Sequence, residues 1–335
     1  MNLTEKLYAL NIPEVRRVFL EAIADIVDSA VLSEIEKAVE ANDIEGVLKA
    51  CGYNQAVFNR VLDALDRVYQ KSAEQTVNEW PKRIGFVRPV FDMRTQRVTE
   101  DLQTFSSSFI SRIDAEIREN VRNVLADGLS RGVNPKTTAL ELVGRYDPTT
   151  KKRVGGFIGL SQNQTSWVLN ARTYLETLDP RYLKLGLRDK RFDKLVVKAI
   201  AEKKPLSKSD IEKMITAYKS KCLKYRADAI ARTETIQSIN RGKTAAISQG
   251  IDEGLFRKDQ VTKWWDDTGD GRTRKSHRHL GTKYSRQHAI PFDEAFITLS
   301  GDSLRFPGDF ALGADASEII HCRCGVQYHV DFVNG

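Results

Sequence analysis

Apolar residues recur every three or four positions over most of the chain, which is the spacing of amphipathic helices. A first stripe consists of Val15, Phe19, Ile23, Ile26 and Ala30. We expect Pro13 to open this helix, because proline has no N–H to lose in the first helical turn. A second stripe consists of Val57, Val61, Leu65 and Val68. It should stop before Trp80-Pro81, since the residue that precedes a proline avoids the α conformation.

The third stripe is the longest and predicts one extended helix. It consists of Val98, Leu102, Phe105, Phe109, Ile113, Ile117, Val121 and Val124. These positions cover about eight turns at 3.6 residues per turn, and Gly128 and Gly132 are the expected stop signals. A helix of this length is suited to a strut, or to a seam that packs on a partner helix.

The second half of the chain changes character near Asp259. Before that point, helices are predicted at 134–143, 161–178, 188–201 and 207–248. We expect Gly250 to close the last of them. After it the segments are short, aromatic and rich in glycine, and strands or turns are predicted at 261–265, 284–290 and 325–330.

These patterns predict mainly α-helical N-terminal and central regions, followed by a small α+β C-terminal domain. The expected segments are a helical domain at 1–80, a linker at 81–92, a helical region with the long helix at 93–206, and a C-terminal domain at 207–335. A chain of 335 residues has room for this number of domains.

Charge is unevenly distributed along the chain. Residues 1–80 sum to −6 and residues 151–250 to +13, while 271–290 add +6 and 291–335 sum to −5. A basic middle beside acidic ends suggests a polyanion or an acidic protein surface as partner, although a solvated lysine-rich helical surface explains the same counts. The candidate basic contacts are Lys151, Lys152, Arg153, Arg188, Lys190 and Arg191.

No stretch approaches the ~18–20 apolar residues that a membrane span needs, and the N-terminus lacks the layout of a signal peptide. We therefore expect synthesis in a cytoplasm and no membrane contact. Four cysteines in 335 residues form no disulfide framework and fit a reducing compartment.

One local motif suggests phosphate binding. Gly242-Lys243-Thr244 resembles the end of a phosphate-binding loop, but Gln237 stands where the first glycine is needed and the segment is helical, so we reject that function. No nucleophile with an adjacent base stands out, and we expect no catalytic residue.

All five histidines lie in the last 59 residues, together with Cys322 and Cys324. His-x-His and Cys-x-Cys pairs in one small domain could supply zinc ligands, but Cys-x-Cys is tighter than the usual spacing in structural zinc sites. A buried, hydrogen-bonded cluster explains the same residues. We expect no cofactor, and structural zinc remains the alternative.

A series of motifs in the C-terminal half resembles the phage minor head proteins of the Mu protein F type. The series consists of Ala231-Arg232-Thr233-Glu234-Thr235, Asn240, Trp264, Asp270-Gly271-Arg272-Thr273-Arg274, His277, Leu280-Gly281, Phe306-Pro307-Gly308-Asp309 and His321-Cys322-Arg323-Cys324. Each piece is short, and the specificity lies in their order and spacing across 207–330. Residues 1–90 carry no signature of this family.

The resemblance implies a structural protein of a tailed-phage head that acts in procapsid assembly and in DNA packaging or ejection. It implies association with the portal protein, and a major capsid or scaffolding protein as a further candidate partner. The expected location is the head interior near the portal in the virion, and the host cytoplasm during assembly. Contact with double-stranded phage DNA would be independent of sequence.

The residues that carry the resemblance are expected to have structural roles. They are Arg232, Glu234, Asn240, Trp264, Asp270, Arg272, His277, Pro307, Gly308, Cys322 and Cys324, hereafter the signature set. We expect ion pairs to fix the turn around Asp270, and His277 with the two cysteines to tie the C-terminal tail to that turn. Two other functions remain open: a metal-dependent hydrolase or nuclease, and a portal-binding adaptor that does not contact DNA.

Overall fold

The computed structural model describes residues 3–332. Within them lie eleven α-helices: α1 (Leu3–Asp28), α2 (Leu32–Glu40), α3 (Ile44–Ala50), α4 (Asn59–Asn78), α5 (Gln96–Ser130), α6 (Pro135–Val143), α7 (Gln162–Glu176), α8 (Asp193–Glu202), α9 (Lys208–Asp252), α10 (Lys275–Lys283) and α11 (Ala316–Ile319). The strands are β1 (Arg145–Asp147), β2 (Lys152–Val154), β3 (Val261–Asp266), β4 (Ile290–Pro291), β5 (Phe296–Ile297), β6 (Ser303–Leu304) and β7 (Gly325–Val330).

The predicted fold class is confirmed, since the chain is mainly helical and a small C-terminal region carries a few antiparallel strands. The largest sheet has the order β4-β3-β7. In it Val261 pairs with Val330 and Asp266 with Gly325, so β7 runs antiparallel along the whole of β3. The remaining strands form two small hairpins, β1-β2 and β5-β6.

The chain forms two compact units that do not follow consecutive segments. Unit 1 comprises Met1–Val18, Val61–Phe105 and Asp228–Gly335, and unit 2 comprises Phe19–Arg60 and Ser106–Ala227. Each boundary falls inside a helix, namely α1, α4, α5 or α9, so each of these helices contributes residues to both units. The consecutive division at 1–80, 81–92, 93–206 and 207–335 therefore stays a prediction.

Unit 1 has its core beneath the three-stranded sheet. Trp265, Phe296, Leu304 and Val326 are almost fully buried against Ile236 of α9. Trp265 meets Phe296 edge to face at 5.3 Å between ring centroids, an arrangement that aromatic pairs favour. The short strands β5 and β6 are thus held mainly by the side chains under them.

Unit 2 is built from helices packed on an aromatic cluster. Phe58 stacks on Phe19 at 6.1 Å and meets Phe109 edge to face at 6.3 Å. A buried ion pair adds to this core, since Arg172 donates to the Glu141 carboxylate at 3.0 Å with both side chains under a tenth exposed. Helix α7 starts with a capping box, in which Ser161 and Gln164 satisfy each other's backbone N–H.

Several predicted boundaries are wrong because tertiary packing overrides local signals. Pro13 lies inside α1 rather than at its start, since Thr4, Leu7 and Asn11 continue its buried face upstream. Gly250 likewise lies inside α9, which runs on to Asp252. The segment 284–290, predicted as strand or turn, is a short 3-10 turn that leads into β4.

The predicted linker contains a defined turn. Ile84 and Val87 exchange both backbone hydrogen bonds, at 2.9 and 3.0 Å, and Gly85 between them adopts φ +57°. The segment is anchored by Gln249 of α9, whose side chain donates to the carbonyl of Val90 at 3.1 Å.

Among residues 3–332, none of the helices combines the length and the apolar composition that crossing a bilayer requires.

Candidate functional site

The centre of the signature set is Asn240, which is fully buried on α9. Its amide nitrogen donates to the carbonyls of Pro307 and Cys324 at 2.8 and 3.1 Å. Its amide oxygen accepts from the backbone N–H of Val326 at 3.0 Å. One side chain thereby joins α9, the loop at 307 and the start of β7. Pro307 and Cys324 lie in irregular chain and Val326 is the second residue of β7, and Asn240 supplies the hydrogen-bond partners that buried backbone groups need.

His277 lies on the buried face of α10 and meets the Cys-x-Cys segment. The face is formed by His277 and Leu280, three residues apart, while Lys275 and Arg278 point to solvent. The helix follows a turn in which Asp267 and Asp270 accept backbone N–H groups two residues ahead, at 3.1 and 3.0 Å. Such Asx turns end an extended strand and direct the chain into a new element.

His277, Cys322 and Cys324, hereafter the Cys/His cluster, bring three metal-ligating groups together. Their ligand atoms all lie within 4.8 Å of one another. His277 Nδ1 is 3.6 Å from Cys322 Sγ and 3.5 Å from Cys324 Sγ. All three side chains are about 2% exposed. The hydrogen bond between the two thiols lowers the pKa of Cys322 and raises the pKa of Cys324 well above its usual value, so the thiolate form that binds metals is favoured at Cys322 alone.

These distances fit a tetrahedral metal. With Zn–S ~2.3 Å and Zn–N ~2.0–2.1 Å, a tetrahedral angle separates the sulfur and nitrogen ligands by ~3.6 Å. Hydrogen bonds between thiols and an imidazole have similar lengths, so the distances alone fit either state. What is established is a buried cluster with the donors and the spacing to hold one metal ion.

Glu318 lies on the far side of the imidazole. Its Oε2 is 2.9 Å from His277 Nε2, without the linear geometry of a hydrogen bond. Ser276 donates to the same carboxylate oxygen at 2.9 Å and holds it in place. A carboxylate on the second ring nitrogen is the usual partner of a metal-ligating histidine, because it fixes the ring and its tautomer. Glu318 therefore contacts a different ring nitrogen of His277 from the one that the two sulfur atoms contact.

The Asp270 turn is tied to the Cys-x-Cys segment by Arg323. The guanidinium donates to both carboxylate oxygens of Asp270, at 2.8 and 2.7 Å. This bidentate pair is the first cause that holds the pKa of Asp270 well below its usual range. Arg272 adds a weaker contact to Asp270 at 3.3 Å and stays exposed.

The rest of the signature set is less tightly joined to the cluster. Arg232 is exposed on α9, whereas Glu234 two residues later is buried, since such positions face different sides of a helix. Trp264 is half-buried on β3 and lies 5.7 Å from the Arg286 guanidinium. Gly308 adopts φ +85°, and a Cβ there would meet Gln237 at 3.0 Å, so the tight approach of this loop to α9 requires glycine.

The candidate basic residues outside the signature set lie in unit 2 and divide into two groups. Arg188 donates to both oxygens of Asp193, at 3.0 and 2.9 Å, and Arg191 pairs with Asp189 at 2.6 Å. Arg153 donates to the carbonyl of Gly144 at 3.2 Å. The other three are exposed, and they are Lys151, Lys152 and Lys190. Half of the expected cationic groups are thus engaged within the chain.

Three residues of this region have roles that were not predicted from the sequence. Glu318 and Arg323 bear on the cluster as described, but no spacing rule marks them. Lys243 is 4% exposed and donates to Thr4 Oγ1 at 2.8 Å and to the Val326 carbonyl at 3.1 Å. The signal that could have indicated its role was the buried stripe of α9 on which it lies.

Comparisons of the chain with protein-family models, with curated proteins and with solved structures give no match. The class that the fold and the site define is a mainly helical protein in which a buried asparagine joins the small C-terminal sheet to a long helix, α9, and a buried Cys/His cluster joins the start of β7 to the short helix α10.

Proposed function

We propose that this chain is a structural protein of a tailed-phage head, of the Mu protein F type, with no catalytic activity of its own. The observation that carries the proposal is the environment of the signature residues. Asn240, Pro307, His277 and the two cysteines are buried and bond to backbone or to one another. Residues that recur for structural reasons have such surroundings, whereas catalytic residues must reach a substrate.

We further propose that the Cys/His cluster binds one structural zinc ion. Buried thiols and imidazole at tetrahedral separations, with Glu318 behind the histidine, are the support for this proposal. His277, Cys322 and Cys324 would supply one nitrogen and two sulfur ligands, and a fourth ligand from outside this cluster would complete the tetrahedron. The zinc would link α10 to the start of β7, which are separated by about forty residues of mostly irregular chain.

A hydrolytic role for the same metal is less well supported. Hydrolysis needs an open metal position that a substrate can reach, and a base beside the metal-bound water. The cluster side chains are about 2% exposed, and the nearby carboxylate of Glu318 contacts the nitrogen of His277 that points away from the sulfurs. We therefore assign the site to folding.

The zinc proposal is tested by metal analysis of the purified protein and its variants. We expect one zinc per chain in the unaltered protein and none in Cys322→Ser. Cobalt loading should give thiolate-to-cobalt charge-transfer bands that the same variant lacks. Cys222→Ser is the matched control, because Cys222 is equally buried but lies outside the cluster. If the unaltered protein holds neither metal after incubation with zinc or cobalt, the proposal is overturned.

The head function is tested by co-expression with the portal and scaffolding proteins of the same genome. We expect the chain to co-sediment with portal-containing particles and to be absent from particles assembled without the portal. Persistent absence from portal-containing particles would contradict the proposal.

The DNA contact is tested separately by mobility shift with two unrelated double-stranded sequences at low and moderate salt. Equal affinity for the two sequences, and a lower affinity at the higher salt concentration, would support this part of the proposal. Portal association without DNA binding would favour the adaptor, and DNA cleavage that depends on zinc would favour the hydrolase.

A further inference from the structure

Helix α10 has two faces of opposite character. His277 and Leu280 are buried, with 2% and 0% of their surface exposed. Lys275, Arg278 and Lys283 are exposed, on the solvent side of the same nine-residue helix. The exposed side is therefore fixed in direction by the buried one, through the contacts of His277 with the Cys-x-Cys segment.

The surroundings of this face concentrate positive charge. Residues 271–290 contain six lysines and arginines and no aspartate or glutamate. Arg272 precedes the helix and Arg286 follows it, and both are exposed. From Lys275 to Lys283 the helix rises ~12 Å at 1.5 Å per residue, so one extended polyanion could contact the cations along this face.

Few carboxylates neutralise this charge. Glu318 is directed to the buried side, where it contacts His277 and Ser276. Asp267 lies against Gly281, and Asp270 is engaged by Arg323 as well as by Arg272. In the described part of the chain, Lys275, Arg278 and Lys283 form no ion pair. Their charge is available to a partner.

We propose that the exposed face of α10, formed by Lys275, Arg278 and Lys283, binds the phosphate backbone of double-stranded DNA together with Arg286 in the turn after the helix. This rests on the DNA contact in the proposed function and names its surface. No large hydrophobic residue between 265 and 290 is exposed, and the aromatic ring beside Arg286, that of Trp264, is half-buried. Protein interfaces normally carry an apolar or aromatic centre, whereas binding to DNA phosphates needs only positive charge and is insensitive to sequence.

The surface differs from the one that the sequence suggested. Arg188 and Arg191, which belong to the +13 segment, are engaged by neighbouring aspartates. Lys151, Lys152 and Lys190 are exposed like the α10 residues, so they offer a matched comparison. Charge that is already paired must lose its partner before it can meet a phosphate, which weakens its contribution.

The test compares two triple variants of the full chain. The first carries K275Q, R278Q and K283Q, and the control carries K151Q, K152Q and K190Q, which removes the same charge. Binding to a fluorescent duplex is measured by anisotropy from low to moderate salt. We expect the first variant to bind at least about tenfold more weakly at low salt. The slope of log K against log salt should shrink by up to ~2.7, or ~0.9 per lost contact.

Thermal unfolding checks that neither variant acts through folding, because exposed substitutions usually change stability by under ~0.5 kcal/mol. Equal losses in both variants, or a loss only in the control, would overturn the assignment to α10 while leaving DNA contact in place. An unaltered protein that binds no DNA would refute the contact and this surface together. Loss of portal association with intact DNA binding would show that the face binds an acidic protein instead.

Discussion

In the Asn240→Ala variant, the C-terminal part of unit 1 should unfold at a markedly lower temperature than in the wild-type protein. The amide makes three hydrogen bonds, to the carbonyls of Pro307 and Cys324 and from the N–H of Val326. Asn240 is fully buried, so water cannot replace these bonds without opening the structure. Alanine would leave all three backbone groups buried and unsatisfied.

The magnitude follows from the cost of those groups. A buried donor or acceptor that loses its partner costs ~1–3 kcal/mol. Three of them, two being carbonyls that tolerate the loss somewhat better, give an expected loss of about 3–6 kcal/mol. That is a large part of the ~5–15 kcal/mol that stabilises a typical domain. For a unit of this size it corresponds to a fall in Tm on the order of 10 °C.

Two measurements together test this reasoning. Calorimetry or fluorescence should show the lower Tm, and hydrogen exchange should show loss of protection at the Val326 amide. Asn170→Ala is the matched control, because Asn170 is exposed within α7 and gains the same helix propensity. A Tm within about 2 °C of the wild type, on a scale of ~2–4 °C per kcal/mol, would refute the claim that Asn240 joins these elements.

Two further substitutions test other contacts. Gly242→Ala should lower the Tm by several degrees, since its Cβ would lie 2.3 Å from the Tyr69 carbonyl, and overpacking costs ~1–3 kcal/mol; Gly186→Ala, which meets nothing within 4 Å, should not. Burial lowers the pKa of Lys219 to about 8, so stability should rise from about pH 8 to 10.5, where the unfolded chain binds the extra proton. Lys219→Met should increase the free energy of unfolding at pH 7 by on the order of 3 kcal/mol, and so raise the Tm, and it should abolish the increase of stability between pH 8 and 10.5. A lower Tm would contradict this prediction.

The helices could be predicted where the apolar stripe alone determines them. The stripe from Val98 to Val124 is buried at nearly every step and lies in α5. Proline and glycine predicted the ends of the helices less reliably. Pro13 and Gly250 lie inside helices, because the buried faces of α1 and α9 continue past them. Local propensities are small beside the free energy of burying a helical face.

Helix α10 could not be predicted from periodicity. Its sequence offers only His277 and Leu280 as buried positions and is otherwise basic or small, so no apolar stripe is visible. What makes it a helix is the contact of those two residues with Trp265 and the Cys-x-Cys segment. His277 meets the Trp265 ring edge to face at 5.2 Å between centroids.

The meeting of His277 with Cys322 and Cys324 was predicted, and the structure brings the three side chains together. The spacing along the chain gave no distances between them and did not indicate their other partners. Glu318 and Arg323 contribute through positions that folding creates. Gly242-Lys243-Thr244, rejected as a phosphate loop, is explained by packing: Gly242 admits the Tyr69 backbone, and Lys243 and Thr244 bond to β7 residues.

The C-terminal strands explain why polar and metal-ligating residues would be needed here at all. β4, β5 and β6 have two residues each, far fewer than the ~5–6 of an average strand. Ladder hydrogen bonds are therefore scarce, and the irregular chain between α10 and β7 must be fixed by side chains. Asn240 satisfies the backbone at three points, Arg323 holds the Asp270 turn, and the Cys/His cluster joins α10 to β7. Because these contacts act on different segments, we expect the removal of any one of them to be destabilising on its own.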